Sequence, residues 1–358
     1  MDTLATEHRR DASPTLLALV EQRDWRAARQ HALEAAAVAE ARNDVGDMLR
    51  AGDDLERFNE FAIAGRLLAK GGRVVARTVG LEWDGTYLPG KTLLIEQRIR
   101  HAGNLILTAR LAGRAAEYAG RCIVLIDPRL VSLVARSFPA LEVRPKGIDD
   151  EKVRAEADVV ASFETLMQHL APDAATLAGS FSRLRPDASL VRSFRERYRP
   201  DGSRLPVIGI AWASDNKDKD LPPLESWAPL LREIPARFIS LQYGDVTADL
   251  ASFEALGAAP WHDPDVDSLR DFDTFAAQVA SLDAVVTISN TAAHMAGALG
   301  IPTVVALGDR FHLIWPVGES RTPWYPDVVL VRKQGRDWTE TMSDVRSCLL
   351  KKLAATPE

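Results

Sequence analysis

The sequence has few of the features that mark secreted or membrane proteins. Its 358 residues include only two cysteines, Cys122 and Cys348, too few for a disulfide framework or a cysteine-rich metal cluster, which fits a reducing compartment. The opening residues 1–14 lack the apolar stretch of a secretory signal. No apolar run approaches the roughly 18 residues that a membrane-spanning helix needs. We therefore expect a cytoplasmic protein.

The chain also lacks an excess of basic residues. The 44 Lys and Arg residues are outnumbered by 50 Asp and Glu residues, which gives a formal net charge of −6. That balance argues against a general nucleic-acid binder, which is usually basic. Residues 91–146 differ from the rest, with ten Lys or Arg against four Asp or Glu. This local excess would suit an anionic ligand or an acidic partner, although scattered arginines equally fit a solvated surface.

The first 80 residues are predicted to be helical. Residues 13–44 are rich in Ala, Glu and Arg with helical spacing, Ser13-Pro14 is a good helix start, and Asp24 separates two helices. This pattern resembles a single tetratricopeptide unit, which cannot bury its own apolar face. We expect the hairpin to pack on the next helix, residues 55–72, which Gly71-Gly72 would end, or to dock onto a partner or a second copy. The residues that such docking would cover are Leu17, Val20 and Trp25.

Strands and helices alternate through the rest of the chain. A βαβαβ series occupies residues 91–146, and a second series begins at residue 205. This alternation indicates parallel doubly wound sheets. We therefore predict an α/β fold with two Rossmann-like lobes, a cleft between them, and a short helical N-terminal segment. The predicted divisions are a helical segment at 1–80, a first lobe at 81–203, a second lobe at 204–335 and a C-terminal helix at 336–358.

One strand-to-helix junction has the character of an anion site. The apolar stretch at 284–288 runs into Ser289, Asn290 and Thr291, and a helix of small residues with His294 in its first turn follows at once. A helix N-terminus presents unpaired N–H groups and a partial positive charge. The alternative is structural, because Ser, Asn and Thr are ordinary helix caps and a lone histidine is usually a packing residue.

Two loops could complete such a site. The apolar strand at 207–212 ends in a polar loop with Ser214, Asn216, Lys217 and Lys219, and a lysine placed there can act as a point charge for a phosphate. Taken alone, this loop is equally well explained as a solvated segment. The Pro-rich stretch at 314–326, with Trp315, Trp324 and Tyr325, could form a lid or a stacking wall, or simply pack under a long loop.

Several of these stretches together resemble a known family. They are "IGIAWAS", "FISLQYGD", "DFDTFAAQVASLDAVVTISNTAAHMAGALGIPTVVAL" and "SRTPWYPDVVLVRK". They look like the glycosyltransferase module often found behind tetratricopeptide repeats in bacteria. That module is similar to the heptosyltransferases of glycosyltransferase family 9 and, more distantly, to O-linked N-acetylglucosamine transferases. The resemblance covers about residues 80–335 of this chain.

The resemblance implies a GT-B fold and a nucleotide-diphosphate sugar as donor substrate in the second lobe. It also implies an acceptor against the first lobe and no resident cofactor or metal. Lys219 matches the heptosyltransferase lysine that pairs with donor phosphates. The other residues implied to hold the donor are Ser214, Ser289, Asn290, Thr291, Ala292 and His294.

The sequence departs from the family at the opening loop of the first lobe. The family usually reads Glu-Gln-Gly-Leu-Gly-Asp there, with the aspartate as candidate general base, whereas this chain reads "EQRIRHAGN" with Asn104 in the aspartate's place. An asparagine amide cannot take up the proton near neutral pH. Either His101 or Glu96 substitutes as catalytic base, with His101 favoured, or the chemistry has been lost.

The sequence therefore leaves several functions open. The first is an inverting glycosyltransferase that moves a sugar from a nucleotide-diphosphate donor to a protein or glycan acceptor. The second is a catalytically lapsed GT-B protein that serves as a binding or scaffold module. A hydrolase or epimerase with a phosphate site is a third possibility.

Overall fold

The computed structural model describes residues 13–22, 24–76, 81–96, 102–179, 182–200, 202–216, 219–309 and 314–355. Helices form the first part of the chain, and two separate β-sheets follow in succession. Over these residues, no helix has both the length and the apolar character to cross a bilayer.

The described residues of the N-terminal segment form four helices, α1 (Pro14–Glu21), α2 (Trp25–Arg42), α3 (Val45–Glu56) and α4 (Phe61–Ala76). Ser13 and Asp24 cap α1 and α2 as expected, because each side chain accepts a backbone N–H of the first turn. Each helix packs against the next, and α4 packs on the first lobe. The predicted helical hairpin is confirmed by α1 and α2, but the prediction of a single helix over residues 55–72 is wrong, because Asn59, at a φ of 61°, turns the chain between α3 and α4. The likeness to a tetratricopeptide unit stays a prediction.

The glycine pair at 71–72 does not end a helix, contrary to the expectation from the sequence. Helix α4 continues through both glycines to Ala76. A Cβ added to Gly71 would lie only 2.6 Å from Cγ of Leu49 in α3. The glycine therefore allows α3 and α4 to approach closely, and it does not act as a helix stop.

The first lobe is a parallel five-stranded sheet with helices around it. Its strands are β1 (Leu81–Glu82), β2 (Leu88–Glu96), β3 (Ala119–Ile126), β4 (Glu142–Pro145) and β5 (Val159–Ala161). Its helices are α5 (Ala102–Ala115), α6 (Val131–Ser137), α7 (Asp150–Ala155), α8 (Phe163–Leu170) and α9 (Ala174–Gly179). The strand order is β1-β5-β2-β3-β4. Residues 93–95 and 122–126 are buried, as expected for central strands of a parallel sheet covered on both faces.

The second lobe is a larger sheet of seven strands. The strands are β6 (Val207–Ala211), β7 (Arg237–Ser240), β8 (Trp261–His262), β9 (Ala284–Ile288), β10 (Thr303–Leu307), β11 (Arg321–Thr322) and β12 (Tyr325–Arg332). The helices are α10 (Ala188–Tyr198), α11 (Leu224–Glu233), α12 (Thr247–Ala255), α13 (Phe272–Ala280), α14 (Thr291–Leu299) and α15 (Trp338–Ala355). The order is β11-β12-β10-β9-β6-β7-β8, and among these described strands only the β11–β12 pair is antiparallel. Because β6 and β9 are neighbours, their carboxyl ends meet at one edge.

The two lobes contact each other directly. The Arg136 guanidinium of α6 makes two hydrogen bonds of 2.7 Å to the carboxylate of Asp273 in α13. Arg129 lies over the ring of Phe272, with Cζ 4.6 Å from the ring centroid. One apolar core runs from the N-terminal helices through both lobes. The helical segment is thus part of the folded body and shares its core.

Candidate functional site

The start of α14 lies at the carboxyl end of β9, as predicted. Asn290 is its N-cap, and its Oδ1 accepts the backbone N–H of Ala293 at 3.3 Å and the hydroxyl of Thr287 at 3.0 Å. Asn290 and Ala292 are buried, and Thr291 is partly exposed. The Asn290 side chain therefore fixes the helix start, and the first N–H groups of the helix point toward the same edge of the sheet.

Lys219 connects two loops at this edge. Its Nζ donates a hydrogen bond to the Ser214 hydroxyl at 3.1 Å and another to the backbone carbonyl of Ser289. Ser214 follows β6 and Ser289 follows β9, so neighbouring strands bring them together. The positive ammonium group adds to the partial positive charge of the helix start. The structure thus assembles Ser214, Lys219 and the α14 start, which were predicted separately from the sequence.

His294 is buried and electrically neutral. Burial and, to a smaller extent, the nearby positive charge of Lys219 together lower its pKa from 6.5 to about 3. Its Nδ1 is 3.0 Å from the Tyr325 hydroxyl, and its ring stacks on Trp315 with centroids 5.1 Å apart. His294 therefore offers a site hydrogen-bonding capacity and shape, but no positive charge.

The aromatic residues between 314 and 325 form part of the wall of this site. Trp315, Trp324 and Tyr325 are at most 2% exposed, which favours packing over an open lid. Trp315 nevertheless reaches the site, because its indole N–H donates to the Ser289 hydroxyl at 2.8 Å. Trp315 thus holds the side chains of Ser289 and His294, and Tyr325 also holds His294.

The first lobe reaches the site through the start of α5. A Cβ added to Gly103 would lie 2.5 Å from Cδ2 of His294, so the backbone of α5 touches the histidine ring. Asn104 is the next residue, partly buried, and its carbonyl accepts the Thr108 hydroxyl at 2.8 Å. The first turn of α5 contains no acidic residue. His101 lies outside the described residues.

Glu96 is bound up in ion pairs at the end of β2. Its two carboxylate oxygens accept hydrogen bonds of 2.9 and 2.6 Å from Arg154, and Lys146 lies 3.1 Å away. Burial alone would raise the pKa of Glu96, but the hydrogen bonds and charges of Arg154 and Lys146 outweigh it and hold the pKa below its ordinary value. A carboxylate stabilised in its ionised form in this way is a weak proton acceptor.

Sequence reasoning missed Arg110, which links the lobes next to the site. It lies on α5 and is 5% exposed, and it donates to the Trp324 carbonyl at 2.6 Å and to the Ser182 carbonyl at 3.2 Å. Its guanidinium also lies over the Tyr325 ring, with Cζ 5.4 Å from the centroid. Burial lowers its pKa to about 10, so it stays charged at neutral pH. The available signal was a lone arginine within the apolar stretch "NLILTARLAG".

The structure therefore defines a protein of two Rossmann-like lobes whose facing helix starts, α5 and α14, meet at one site. No family model matches the chain. Protein FlbA of Caulobacter vibrioides is 28% identical over an alignment of 291 residues that covers 75% of this chain and 48% of FlbA. The chain thus spans about half the length of this curated relative.

Solved structures share the fold. A glycosyl transferase of family 9 from Veillonella parvula aligns with a TM-score of 0.56 and 12% identity, over 76% of this chain and 99% of that one. The ADP-heptose lipopolysaccharide heptosyltransferase II of E. coli aligns with a TM-score of 0.51 and 14% identity, over 74% and 98%. The predicted GT-B-like fold of glycosyltransferase family 9 is confirmed.

Proposed function

We propose that this chain binds a nucleotide-diphosphate sugar at the α14 start and transfers the sugar, with inversion, to a protein or glycan acceptor. The observation that carries the proposal is the convergence of Lys219, Ser214 and the α14 start opposite the first turn of α5. The fold adds support, because its E. coli neighbour is named for ADP-heptose.

The proposed donor site is suited to a diphosphate by charge and by geometry. The Lys219 ammonium and the N-terminal N–H groups of α14 lie together, and a helix start favours anions. The Lys219 ammonium donates to the Ser214 hydroxyl and to the Ser289 carbonyl. A phosphate oxygen in the site would compete with these two groups as acceptor of the ammonium hydrogen bonds. In the proposal Thr291 and Ala292 supply backbone N–H groups, Asn290 holds the helix start, and His294 contributes a neutral hydrogen-bonding group. The donor is a substrate, and we assign no role to a metal or a resident cofactor.

The acceptor side of the proposal depends on the loop before α5. A base must lie within hydrogen-bond reach of the acceptor hydroxyl, directly or through one water. Because Glu96 is held by Arg154 and Asn104 has no basic site, we propose His101 as the base. The acceptor would lie against the first lobe, beside the start of α5.

One observation favours a second function. The first turn of α5 has no carboxylate, and the carboxylate at the end of β2 is ion-paired. If His101 does not serve as base, the chain is a catalytically lapsed GT-B protein that still binds the nucleotide and acts as a binding or scaffold module. A protein partner or a second copy could dock on the N-terminal helices, where Leu17 is 38% exposed.

Calorimetry tests the proposal most directly. The full chain would be titrated with a panel of nucleoside diphosphates and nucleotide-diphosphate sugars. We expect at least one nucleoside diphosphate to bind, with the matching sugar nucleotide of comparable affinity. The absence of binding to every member of the panel at millimolar concentration would contradict both proposed functions.

A further inference from the structure

The loop at residues 314–325, here named the tryptophan loop, shapes the proposed donor site from behind. Its Trp315 stacks on His294 and donates to the Ser289 hydroxyl, and its Tyr325 hydroxyl is 3.0 Å from His294 Nδ1. Within it, only the two-residue strand β11 and Tyr325, the first residue of β12, are in regular secondary structure. Fixing the backbone of a loop residue costs conformational entropy, so neighbouring elements must supply the contacts that hold this loop in one arrangement.

The N-terminal helices make three of those contacts. The backbone N–H of Val317 donates to the carbonyl of Arg57, just after α3, at 3.0 Å. The ring of Phe61, the first residue of α4, packs edge-on against Trp324 with centroids 5.4 Å apart. The Trp25 indole covers Gly318, where a Cβ would lie 3.0 Å from its Nε1.

Phe61 and Trp324 belong to the most deeply buried part of the chain. They are 1% and 2% exposed, and both belong to the core that also contains Trp315 and Tyr325. Loss of the Phe61 ring would leave a cavity against Trp324, which the loop could fill only by moving. Movement of the loop would in turn displace Trp315 from His294 and Ser289.

Further supports of the tryptophan loop come from the lobes. Arg332 at the end of β12 donates to the carbonyls of Trp315 and Pro316 at 2.7 and 3.0 Å. Arg110 of α5 donates to the carbonyl of Trp324. The loop is therefore held between three parts of the chain, which are the helical segment and the two lobes.

We propose that the N-terminal helical segment is a positioning element of the donor site and acts through the tryptophan loop. The inference rests on the proposed function for the identity of its ligand. Phe61 and Trp25 are the positioning residues, and they act on Trp315 through Trp324 and Gly318. If the N-terminal helices had only a structural role, changes at Phe61 and Trp25 would alter stability and leave the nucleotide affinity of the donor site unchanged.

The test compares Phe61→Ala and Trp25→Ala with Leu16→Ala in the full chain. Leu16 is a matched control because it is fully buried in the same helical segment, in a small cluster with Ala28 that is separate from the main core. The affinity for the nucleoside diphosphate found by calorimetry would be measured below the unfolding transition of each variant. Amide hydrogen exchange would be followed in peptides that cover residues 286–299 and 314–325.

We expect Phe61→Ala to weaken nucleotide binding about fivefold or more, which is about 1 kcal/mol, and Trp25→Ala to weaken it less. Exchange should accelerate in both peptides, whereas Leu16→Ala should lose stability and keep both the affinity and the exchange of the parent. Trp25 is only half-buried, so its truncation should leave the chain folded. The Trp25→Ala variant therefore tests the positioning role if Phe61→Ala fails to fold.

Unchanged affinity and exchange in the Phe61 and Trp25 variants would overturn the inference, as would equal weakening in Leu16→Ala. If the parent protein binds no nucleotide, the proposed function fails on its own. Hydrogen exchange then decides: faster exchange of residues 286–299 in Phe61→Ala and Trp25→Ala, but not in Leu16→Ala, would uphold the positioning role, and its absence would refute it.

Discussion

The backbone of Gly103 lies directly against the ring of His294. A Cβ at residue 103 would stand 2.5 Å from Cδ2 and 2.6 Å from Nε2 of the histidine, closer than real side chains approach. Gly103 belongs to the first lobe and His294 to the second, so this contact sets how near the two helix starts come. The geometry of the proposed site depends on a residue with no side chain.

A methyl group at this position should disturb the site. Gly103→Ala would normally favour a helix by about 1 kcal/mol, so any loss of stability comes from the clash with His294. We expect the free energy of unfolding to fall by about 1–3 kcal/mol and nucleotide binding to weaken. Gly179→Ala is the control, because Gly179 is also helical and a Cβ there meets nothing within 4 Å. Equal stability of the two variants in chemical denaturation would show that the contact is loose.

Lys219 should contribute a large part of the nucleotide affinity. Lys219→Met removes the ammonium and keeps much of the apolar stem, and we expect binding to weaken by about 1–3 kcal/mol, the range for loss of a charged hydrogen-bond partner. Calorimetry with a nucleoside diphosphate measures this loss.

The matched control for that variant is Lys352→Met. Lys352 is also half-buried and donates to a backbone carbonyl, that of Asp327, at 2.6 Å. Asp327 lies near the beginning of β12, at the opposite end of the sheet from the carboxyl ends of β6 and β9. Similar nucleotide affinities for Lys219→Met and the parent protein would show that Lys219 does not contribute to nucleotide binding.

The buried neutral state of His294 predicts a specific pH dependence of stability. Its pKa is about 3 in the folded chain and about 6.5 when unfolded, so between these values only the unfolded state takes up the proton. Stability is therefore fully present above pH 6.5 and falls as the pH decreases toward 3. Between pH 6.5 and 5 the loss should be about 2 kcal/mol relative to a His294→Gln variant. Parallel stability curves for the two proteins in urea titrations would contradict the neutral assignment.

The two lobes were predictable because their signal is local and repeated. Apolar strands such as β6 and β9 are continuous buried runs bounded by helices, and parallel pairing places their ends at one edge. The meeting of Lys219 with the α14 start follows from that pairing. Strands of two or three residues, such as β1 and β8, gave no signal because they are too short to show a period.

The contacts missed from the sequence are those between residues far apart in the chain. Arg110 and the carbonyl of Trp324 are 214 positions apart, and no local pattern relates them. The break between α3 and α4 was missed for another reason. Its turn uses Asn59 in a left-handed conformation, and the usual Gly or Pro markers are absent. Tertiary packing determines both features.

The last prediction concerns the base, and it separates the two proposed functions. In a working transferase, His101→Ala should reduce turnover about 100-fold or more and leave nucleotide affinity nearly unchanged, because a general base acts on the acceptor proton and makes no contact with the donor. Steady-state kinetics and calorimetry on the same variant measure the two quantities. In a lapsed enzyme the parent chain is inactive, and Asn104→Asp should create activity by restoring a carboxylate in the first turn of α5, beside His294. Activity that survives His101→Ala would exclude His101 as the base. Glu96 would still be a poor substitute, because its carboxylate must first leave Arg154. An inactive parent that Asn104→Asp leaves inactive would count against the lapsed-enzyme proposal as we state it.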